Sequence, residues 1–399
     1  MEEIRYHKHH VLIVGGGFGG IKAALELSKQ PGVAVTLLSD RPDFRYYPTL
    51  YHTATGGMRS QSSIRLRDIL PEDKVTIAHG TAKTLDREHQ KIHTKEGHII
   101  PYDTLILALG SVTNYFGIKG LEKYAYGIKA GSEAMRFKKH LHDQLTADHA
   151  PDLNYIIVGG GPTGIELAGS LPHYIRYMMK KHGIKHQAVH IDLIEAAPRL
   201  LPRSPKATSR AVRRRLHSLK VKLYLGEAVQ GETADSLMVS GKPMLSHTVV
   251  WTAGTSISPF FSDNNFALSD RHRVNVDSFL RAEPHIYVIG DNASTPYSGM
   301  AQTALYDAVF VARNLVRAWH DKPPFPYKPK QPATVIPVGP YWATIDWGIV
   351  HLSGWLGWLL REAADWVGFH DYMPWWKATE QWATEFGEEE VCKACNQKR

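Results

Sequence analysis

Two glycine clusters hold the spacing in this chain most able to do chemistry, because each lets a backbone turn meet a phosphate. The first lies in HVLIVGGGFGGIKAALEL, residues 10–27. An apolar run, Val11 to Val14, meets Gly15, Gly17 and Gly20, with Phe18 and Gly19 completing the turn. Apolar Ile21, Ala24, Leu25 and Leu27 then recur at helical spacing. This reads as a strand, a tight turn and a helix that open a βαβ unit. The glycines admit a pyrophosphate closely, and the helix start offers free N–H groups and a positive dipole end. A second copy, NYIIVGGGPTGIELAG at 154–169, carries Gly159, Gly161 and Gly164 around Pro162 and Thr163. One such cluster often marks only a turn; two in one chain point to two dinucleotides.

Acidic residues after each turn decide which nucleotide is taken. Val33 to Leu38 predicts a second strand, whose end should carry a carboxylate for an adenosine ribose. Ser39 stands there and Asp40 follows. Either Asp40 is recruited by a small shift in the turn, or Ser39 makes a weaker hydrogen bond, or Asp40 is a solvated turn residue. In the second unit, Val189 to Ile194 predicts a strand ending in Glu195. Its carboxylate can accept from both ribose hydroxyls of NAD and would repel the 2′-phosphate of NADP. Arg199 lies nearby and is the one counter-argument. Glu166, two residues past the last glycine, is expected in the first helical turn. It is either an acid favoured by the helix dipole or a carboxylate facing the reacting ring.

These residues need a scaffold, and 399 residues allow two or three domains. Residues 81–100 alternate as a small meander, and Leu105 to Leu109 predicts a buried strand through Ala108 to Gly110. Residues 131–146 are polar and helical. Strands are expected over 221–252, and WTAGT, with Gly254, reads as a return crossover. HIYVIGDNA, 285–293, runs a strand into Asp291, and a helix follows over 300–319. That helix carries Ala301, Gln302 and Tyr306, with an apolar face of Ala304, Ala308, Val311 and Leu315.

Composition bounds the class. A net charge of +8 and a pI near 9.2 attract phosphates or anionic lipid. No nucleic-acid motif accompanies the charge, so no nucleic-acid partner is expected. Residues 206–222 place seven Lys and Arg on what should be one helix, with a solvated face the main reading and a lipid-facing patch the other. The N-terminus lacks the apolar core of a signal peptide, and no apolar run reaches the ~18–20 residues of a membrane span. The two cysteines, Cys392 and Cys395, exclude a disulfide framework and, in one chain, a four-cysteine zinc site; no metal site is expected. No cysteine precedes residue 392, so a redox cysteine pair beside a flavin is excluded too.

After a basic, proline-rich joint at 322–332, composition changes. Eight of the ten tryptophans lie in the last 58 residues, and GWLGWLLREAADWVGF, 354–369, gives a face with Trp355, Leu359, Trp366 and Val367. Tryptophan suits a membrane interface. A dimer interface would use the same aromatics, so a homodimer stays open.

Together GGGFGG, ALGS, GGGPTGIELAG, GDNA and AQTA resemble the two-dinucleotide-binding-domain flavoproteins. More narrowly, TGIELAG with EAAPRLLP, NYFGIKG and AQTAL make the chain similar to type II NADH dehydrogenases, single-subunit NADH:quinone oxidoreductases. The resemblance covers most of residues 8–382. It implies an α/β fold of two Rossmann-like domains, FAD on the first unit and NADH on the second, and a C-terminal amphipathic, tryptophan-rich segment on the membrane. The implied division is 1–113 and 255–325 for FAD, 114–254 for NADH and 326–399 for membrane anchoring. Asp291 would bind the ribityl chain, Glu166 would be the acid near the nicotinamide and quinone, and Gln302 would belong to the quinone motif AQxAxQ. The second Gln of that motif is Tyr306 here. The shared face of 302 and 306 is expected to meet the tryptophan-rich segment as a quinone slot. A peripheral enzyme on the cytoplasmic face of the cell membrane is implied. A soluble NAD(P)H reductase with another acceptor, or a redox-gated binding partner, are the alternatives.

Overall fold

Strand His9–Val14 leads into the first glycine turn and lies inside a six-stranded sheet. The structure is a computed structural model that describes residues 9–146, 152, 154–184 and 189–389. Cys392 and Cys395 lie outside the described residues. Among the described residues the longer helices are α1 (Phe18–Leu27), α2 (Gly131–Thr146), α3 (Pro162–Lys181), α4 (Lys206–Ser218), α5 (Ala301–Trp319), α6 (Trp355–His370) and α7 (Trp375–Ala383).

The first sheet runs Arg281–Glu283, Ile286–Val288, Thr104–Leu107, His9–Val14, Val33–Ser39, Val75–His79. All neighbours are parallel except the edge strand Arg281–Glu283. Val11 to Val14 are all buried, as a strand covered on both faces requires. Val11 and Ile13 face α1 and α5, meeting Ile21, Leu27, Ala308 and Val311. Leu12 and Val14 face the other way, among Leu105, Leu107, Phe260 and Phe261. The period of two along a strand thus serves two separate cores.

The second sheet is wholly parallel, in the order Tyr126–Gly127, Thr248–Trp251, Asn154–Val158, His190–Glu195, Val221–Leu225. Ile157 and Leu193 pack with Phe137 and Leu141 of α2 and Ile165 and Leu171 of α3. The chain passes between the two bodies on a two-stranded antiparallel ribbon, Ser111–Thr113 with Thr255–Ile257. Gly110 and Gly254, just outside it, take φ of +64° and +79°, where a side chain would strain the turn.

The C-terminal region contains a three-stranded antiparallel sheet that the tryptophan content hides: Thr334–Pro337, Ala343–Trp347 and Val350–Gly354. Helix α6 lies on it so closely that a Cβ at Gly357 would be 2.3 Å from the Ala343 carbonyl oxygen. Backbone also meets backbone at Gly169 of α3, where a Cβ would be 2.5 Å from Gly339 N. No helix among the described residues is long and apolar enough to cross a membrane.

Candidate active site

The first turn is tight on its inner side and open on its outer side. A Cβ at Gly15 would lie 2.2 Å from the Ala108 carbonyl oxygen, and one at Gly20 1.9 Å from the Gly15 oxygen. Both positions exclude any side chain. Gly17 caps α1 and has nothing within 4 Å of its missing Cβ, so its outer side is open to a pyrophosphate. Gly19 sits over Ile289, and Phe18 is buried on Phe44, 5.0 Å between rings. A Cβ at Gly16 would be 2.5 Å from Ser39 Oγ. Ser39 therefore lies under the turn, whereas Asp40 points outward beside Arg41.

Asp291 faces the same cleft from the sheet's far strand. Its carboxylate accepts from Ser111 Oγ at 2.9 Å, and Lys129 Nζ donates to that hydroxyl at 2.9 Å. Burial holds the Lys129 ammonium below its usual range. It sits 5.5 Å over the Tyr47 ring. Asn292 exchanges hydrogen bonds with the Gly110 backbone at 3.0 and 2.7 Å. Ala108 follows strand Thr104–Leu107 and lies against the first turn at Gly15, and Ala301 is the first residue of α5. A polar chain bearing hydroxyls, as in FAD, suits the Asp291 carboxylate.

The second turn repeats the first. Gly159 would drive a Cβ to 2.8 Å from Ala253 N, Gly164 to 1.9 Å from Gly159 O, and Gly161 has open space. Pro162 opens α3 at its first position, where a missing N–H costs nothing, and Thr163 follows it. Glu195 accepts from Gly160 N at 2.6 Å and Ala197 N at 2.7 Å, which fixes its carboxylate against the turn. Arg199 spends its guanidinium on the carbonyls of Leu201, Pro202 and Ser204. It is therefore committed to its own loop and not to a 2′-phosphate. Gly254 packs under Phe116 and the Asn114 carbonyl, bracing the crossover beside this turn.

Glu166 is the fifth residue of α3 and not in its first turn, which corrects the expectation from spacing. Pro162 starts the helix earlier than the last glycine suggests, so the macrodipole is a weaker reason for the acid. Burial pushes its carboxyl up to about 8, with Arg361 pulling it down and Asp365 pushing it up. Arg361 and Asp365, one turn apart on α6, form a buried ion pair. Arg361 Nη2 donates to the Pro48 carbonyl at 3.1 Å, and Tyr46 OH donates to Asp365 at 3.4 Å. Burial raises the Asp365 carboxyl, opposed mainly by Arg361. Phe369, further along α6, stacks on Tyr46 at 4.3 Å. The run Lys129, Tyr47, Pro48, Arg361, Glu166 thus connects the Asp291 end of the cleft to the second turn.

Gln302 and Tyr306 do not meet α6 or α7 in the way their spacing suggested. Gln302 accepts from Ala333 N at 3.0 Å. Tyr306 lies 5.8 Å from the Tyr327 ring with the Lys330 ammonium 4.6 Å away. Tyr306 is half-buried against the proline-rich joint, while Gln302 remains exposed. Tyr327 OH in turn donates to Asp307 at 2.6 Å, and Asp307 accepts from Gly290 N at 3.0 Å. Burial lifts the Asp307 carboxyl to about 6. The joint is therefore latched to the turn that holds Asp291.

Sequence reasoning missed Tyr46, Lys129, Asp307, Tyr327, Arg361 and Asp365. One signal was present for the last pair. REAAD puts Arg361 and Asp365, of opposite charge, four residues apart inside a mainly apolar helix, on the side away from Trp355 and Leu359. The structure turns that helix inside out: Gly357, Arg361, Asp365 and Phe369 are buried, while Trp355, Leu356, Leu359, Leu360 and Val367 are exposed.

The family model described as pyridine nucleotide-disulphide oxidoreductase matches residues 9–308. The chain is 29% identical over 407 residues to type II NADH:quinone oxidoreductase Ndh of Mycobacterium tuberculosis, covering 91% of this chain and 85% of that protein. It is 28% identical over 354 residues to the type II NADH:quinone oxidoreductase of Staphylococcus saprophyticus, covering 82% and 87%. Among solved structures, NDH2 from Plasmodium falciparum in complex with NADH superposes with a TM-score of 0.84 at 19% identity, over 95% of this chain and 97% of that one. The sulfide:quinone oxidoreductase of Aquifex aeolicus superposes at 0.75 with 21% identity, over 94% and 92%.

Proposed function

We propose that this chain, which belongs to the pyridine nucleotide-disulphide oxidoreductase family, oxidises NADH through FAD and passes two electrons to a quinone. The observation that carries this reading is a pair of glycine-tight turns, each opening a helix, with a run of contacts from Asp291 through Lys129 and Arg361 to the Glu166 carboxyl on the second helix. FAD, when bound, supplies the redox chemistry between the nicotinamide and the quinone. The chain's residues bind, orient and hold protons. Gly17 and the α1 start take the FAD pyrophosphate, Ser39 its ribose side and Asp291 its ribityl hydroxyls. Gly161, Pro162 and Thr163 take the NADH pyrophosphate, and Glu195 the ribose hydroxyls. Glu166, with its carboxyl near 8, holds a proton at neutral pH and can release it towards a reduced quinone. No cysteine precedes residue 392, so electrons do not pass through a disulphide despite the family's description. The relatives quoted above are named for the NADH:quinone reaction.

The FAD part spans 1–113 and 255–325, the NADH part 114–254, and 326–399 attaches to the membrane. Gln302 and Tyr306 form one wall of the quinone's approach, with Tyr327 and Lys330 of the joint and Ala333 just after it beside them. The outward face of α6, with Trp355 64% and Leu359 51% exposed, supports a peripheral enzyme, since such a face needs an apolar cover. It lies on the cytoplasmic side, where NADH is available. A homodimer is the other cover, and sedimentation with and without detergent separates the two.

The test is NADH and NADPH oxidation by the purified yellow protein against a panel of short-chain quinones. Quinone-dependent turnover with NADH preferred is expected. A colourless protein that cannot be reconstituted with FAD, or turnover no faster with any quinone than without, rejects this reading.

A further inference from the structure

Beyond the ribbon strand Ser111–Thr113 the chain turns at Asn114, Tyr115, Phe116 and Gly117. Ile118 N donates to the Tyr115 carbonyl at 3.0 Å, and between them Phe116 and Gly117 take φ of +53° and +68°. Positive φ at both centre positions is the pattern of a type I′ turn, where Gly, Asn and Asp prevail. A phenylalanine there is strained. It is also 62% exposed, so burial of its ring does little to offset the strain. Strain of this kind persists where the surroundings over-determine it, and it clusters at ligand clamps.

The surroundings do over-determine it. Asn114 Oδ1 accepts from Phe116 N at 2.8 Å, Asn114 N donates to the Gly254 carbonyl at 3.2 Å, and Trp251 Nε1 donates to the Asn114 carbonyl at 3.0 Å. One edge of the Phe116 ring rests on Gly254, where a Cβ would come within 2.3 Å of it, and Trp251 meets the ring edge-on at 6.4 Å. Bracing the crossover is the plain reading of these contacts. The hydrogen bonds already do that, and they would do it with glycine at 116.

Topology gives the ring a second role. In the second sheet Asn154–Val158 lies between His190–Glu195 and Thr248–Trp251, all parallel. A dinucleotide crosses the carboxyl ends of such strands. With the adenosine ribose at Glu195 and the pyrophosphate at the 159–164 turn, the nicotinamide half continues over the end of Thr248–Trp251. That end is Thr252, Ala253 and Gly254. Thr252 Oγ1 donates to the Val158 carbonyl at 2.8 Å, and a Cβ at Gly159 would lie 2.8 Å from Ala253 N. Phe116 stands over the last of the three. In the other direction the ribbon leads back to Ser111, which donates to Asp291 at 2.9 Å. Six residues of chain thus join the ribityl carboxylate to the far side of the second nucleotide turn.

We propose that Phe116 recognises the nicotinamide half of NADH: its ring is an apolar wall over Gly254 that holds the nicotinamide riboside towards the flavin. The inference rests on the NADH:quinone reading above and deepens it, assigning a binding residue to the half of the dinucleotide that Glu195 does not touch. Loss of one aromatic contact of this kind should weaken binding by about 10-fold.

The experiment is titration calorimetry of the FAD-loaded protein with NAD+ and with ADP, which carries the adenosine and both phosphates but no nicotinamide. The unmodified chain, Phe116→Gly and Phe116→Tyr are compared, with urea midpoints and NADH steady-state kinetics taken in parallel. Phe116→Gly should weaken NAD+ by about 10-fold, leave ADP unchanged and raise KM for NADH more than it lowers kcat. Its urea midpoint should stay level or rise, because glycine relieves the left-handed position. Phe116→Tyr should keep NAD+ binding. Unchanged NAD+ binding in Phe116→Gly overturns the inference, and so does an equal loss of ADP and NAD+. A lower urea midpoint together with weaker NAD+ binding overturns it too, since the ring is then only a brace. An unmodified protein that neither binds NAD+ nor oxidises NADH rejects the NADH reading, and this contact with it.

Discussion

Glu166→Gln should stabilise the protein in alkaline buffer and leave it unchanged in acid. In the unfolded chain a glutamate loses its proton near 4.5; in the folded protein burial keeps it on to about 8. Between these values the folded state binds more protons than the unfolded one. Stability therefore falls as pH rises through that window, and the loss is complete above about 8. Each pH unit is worth about 1.4 kcal/mol, which sets a ceiling of about 4–5 kcal/mol. Glu166 keeps a partly accessible edge, and water there reduces the figure to about 2–3 kcal/mol. Glutamine mimics the protonated acid and removes the dependence. Urea midpoints of the FAD-loaded protein and the variant, taken at several pH values from acid to alkaline, measure the difference. A gap that does not grow with pH, or a variant less stable in alkali, refutes the enclosed carboxyl. Kinetics give a second arm. Flavin reduction by NADH should persist in the variant, while reoxidation by quinone slows by about 100-fold, the scale of a lost general acid. If both half-reactions are unchanged, Glu166 only packs.

Arg361→Met should cost about 3–5 kcal/mol in urea unfolding, because it strands the buried Asp365 carboxylate. Arg361→Met/Asp365→Asn should recover part of that loss; strict additivity would mean that the two side chains do not act as a pair. Glu195→Gln should narrow the gap in kcat/KM between NADH and NADPH, and equal efficiency in the unmodified protein would count against its placement at the ribose. Tyr306→Gln should change KM for quinone and not for NADH; the reverse pattern would put the quinone elsewhere.

The glycine turns were legible because their constraint is local: a Cβ at Gly20 or Gly164 collides with the turn's own backbone. The crossover at Gly110 and Gly254 was half legible, from ALGS and WTAGT. The choice between Ser39 and Asp40 was not, since it depends on Gly16 lying over Ser39. Tryptophan density marked the C-terminal region and its apolar face, which the structure leaves exposed, but not what the other side of the helix meets. Sequence periodicity finds an apolar stripe on α6 and cannot say that the polar stripe faces inward. Arg361 and Asp365 become part of the site only when α6 docks beside Tyr46 and Glu166, across more than 300 residues of chain from Tyr46. The short strands from Thr334 to Gly354 escaped notice for a related reason. Each gains its stability from the pairing and from Gly357 pressing α6 against it.

The first sheet also has a history in time. Strand Thr104–Leu107 is buried at all four residues, and one of its edges is filled by Ile286–Val288. That partner emerges from the ribosome about 180 residues later, roughly 10–35 s at ordinary elongation rates. Until then an apolar strand has one open edge, a template for pairing with another nascent chain. The second sheet suffers no such wait beyond Trp251, because its strands lie between residues 126 and 251. The inserted unit can close while its host is still incomplete, so synthesis order makes the host sheet the vulnerable half. Slow elongation between residues 110 and 286 should lower the yield of folded protein more than slowing anywhere after it.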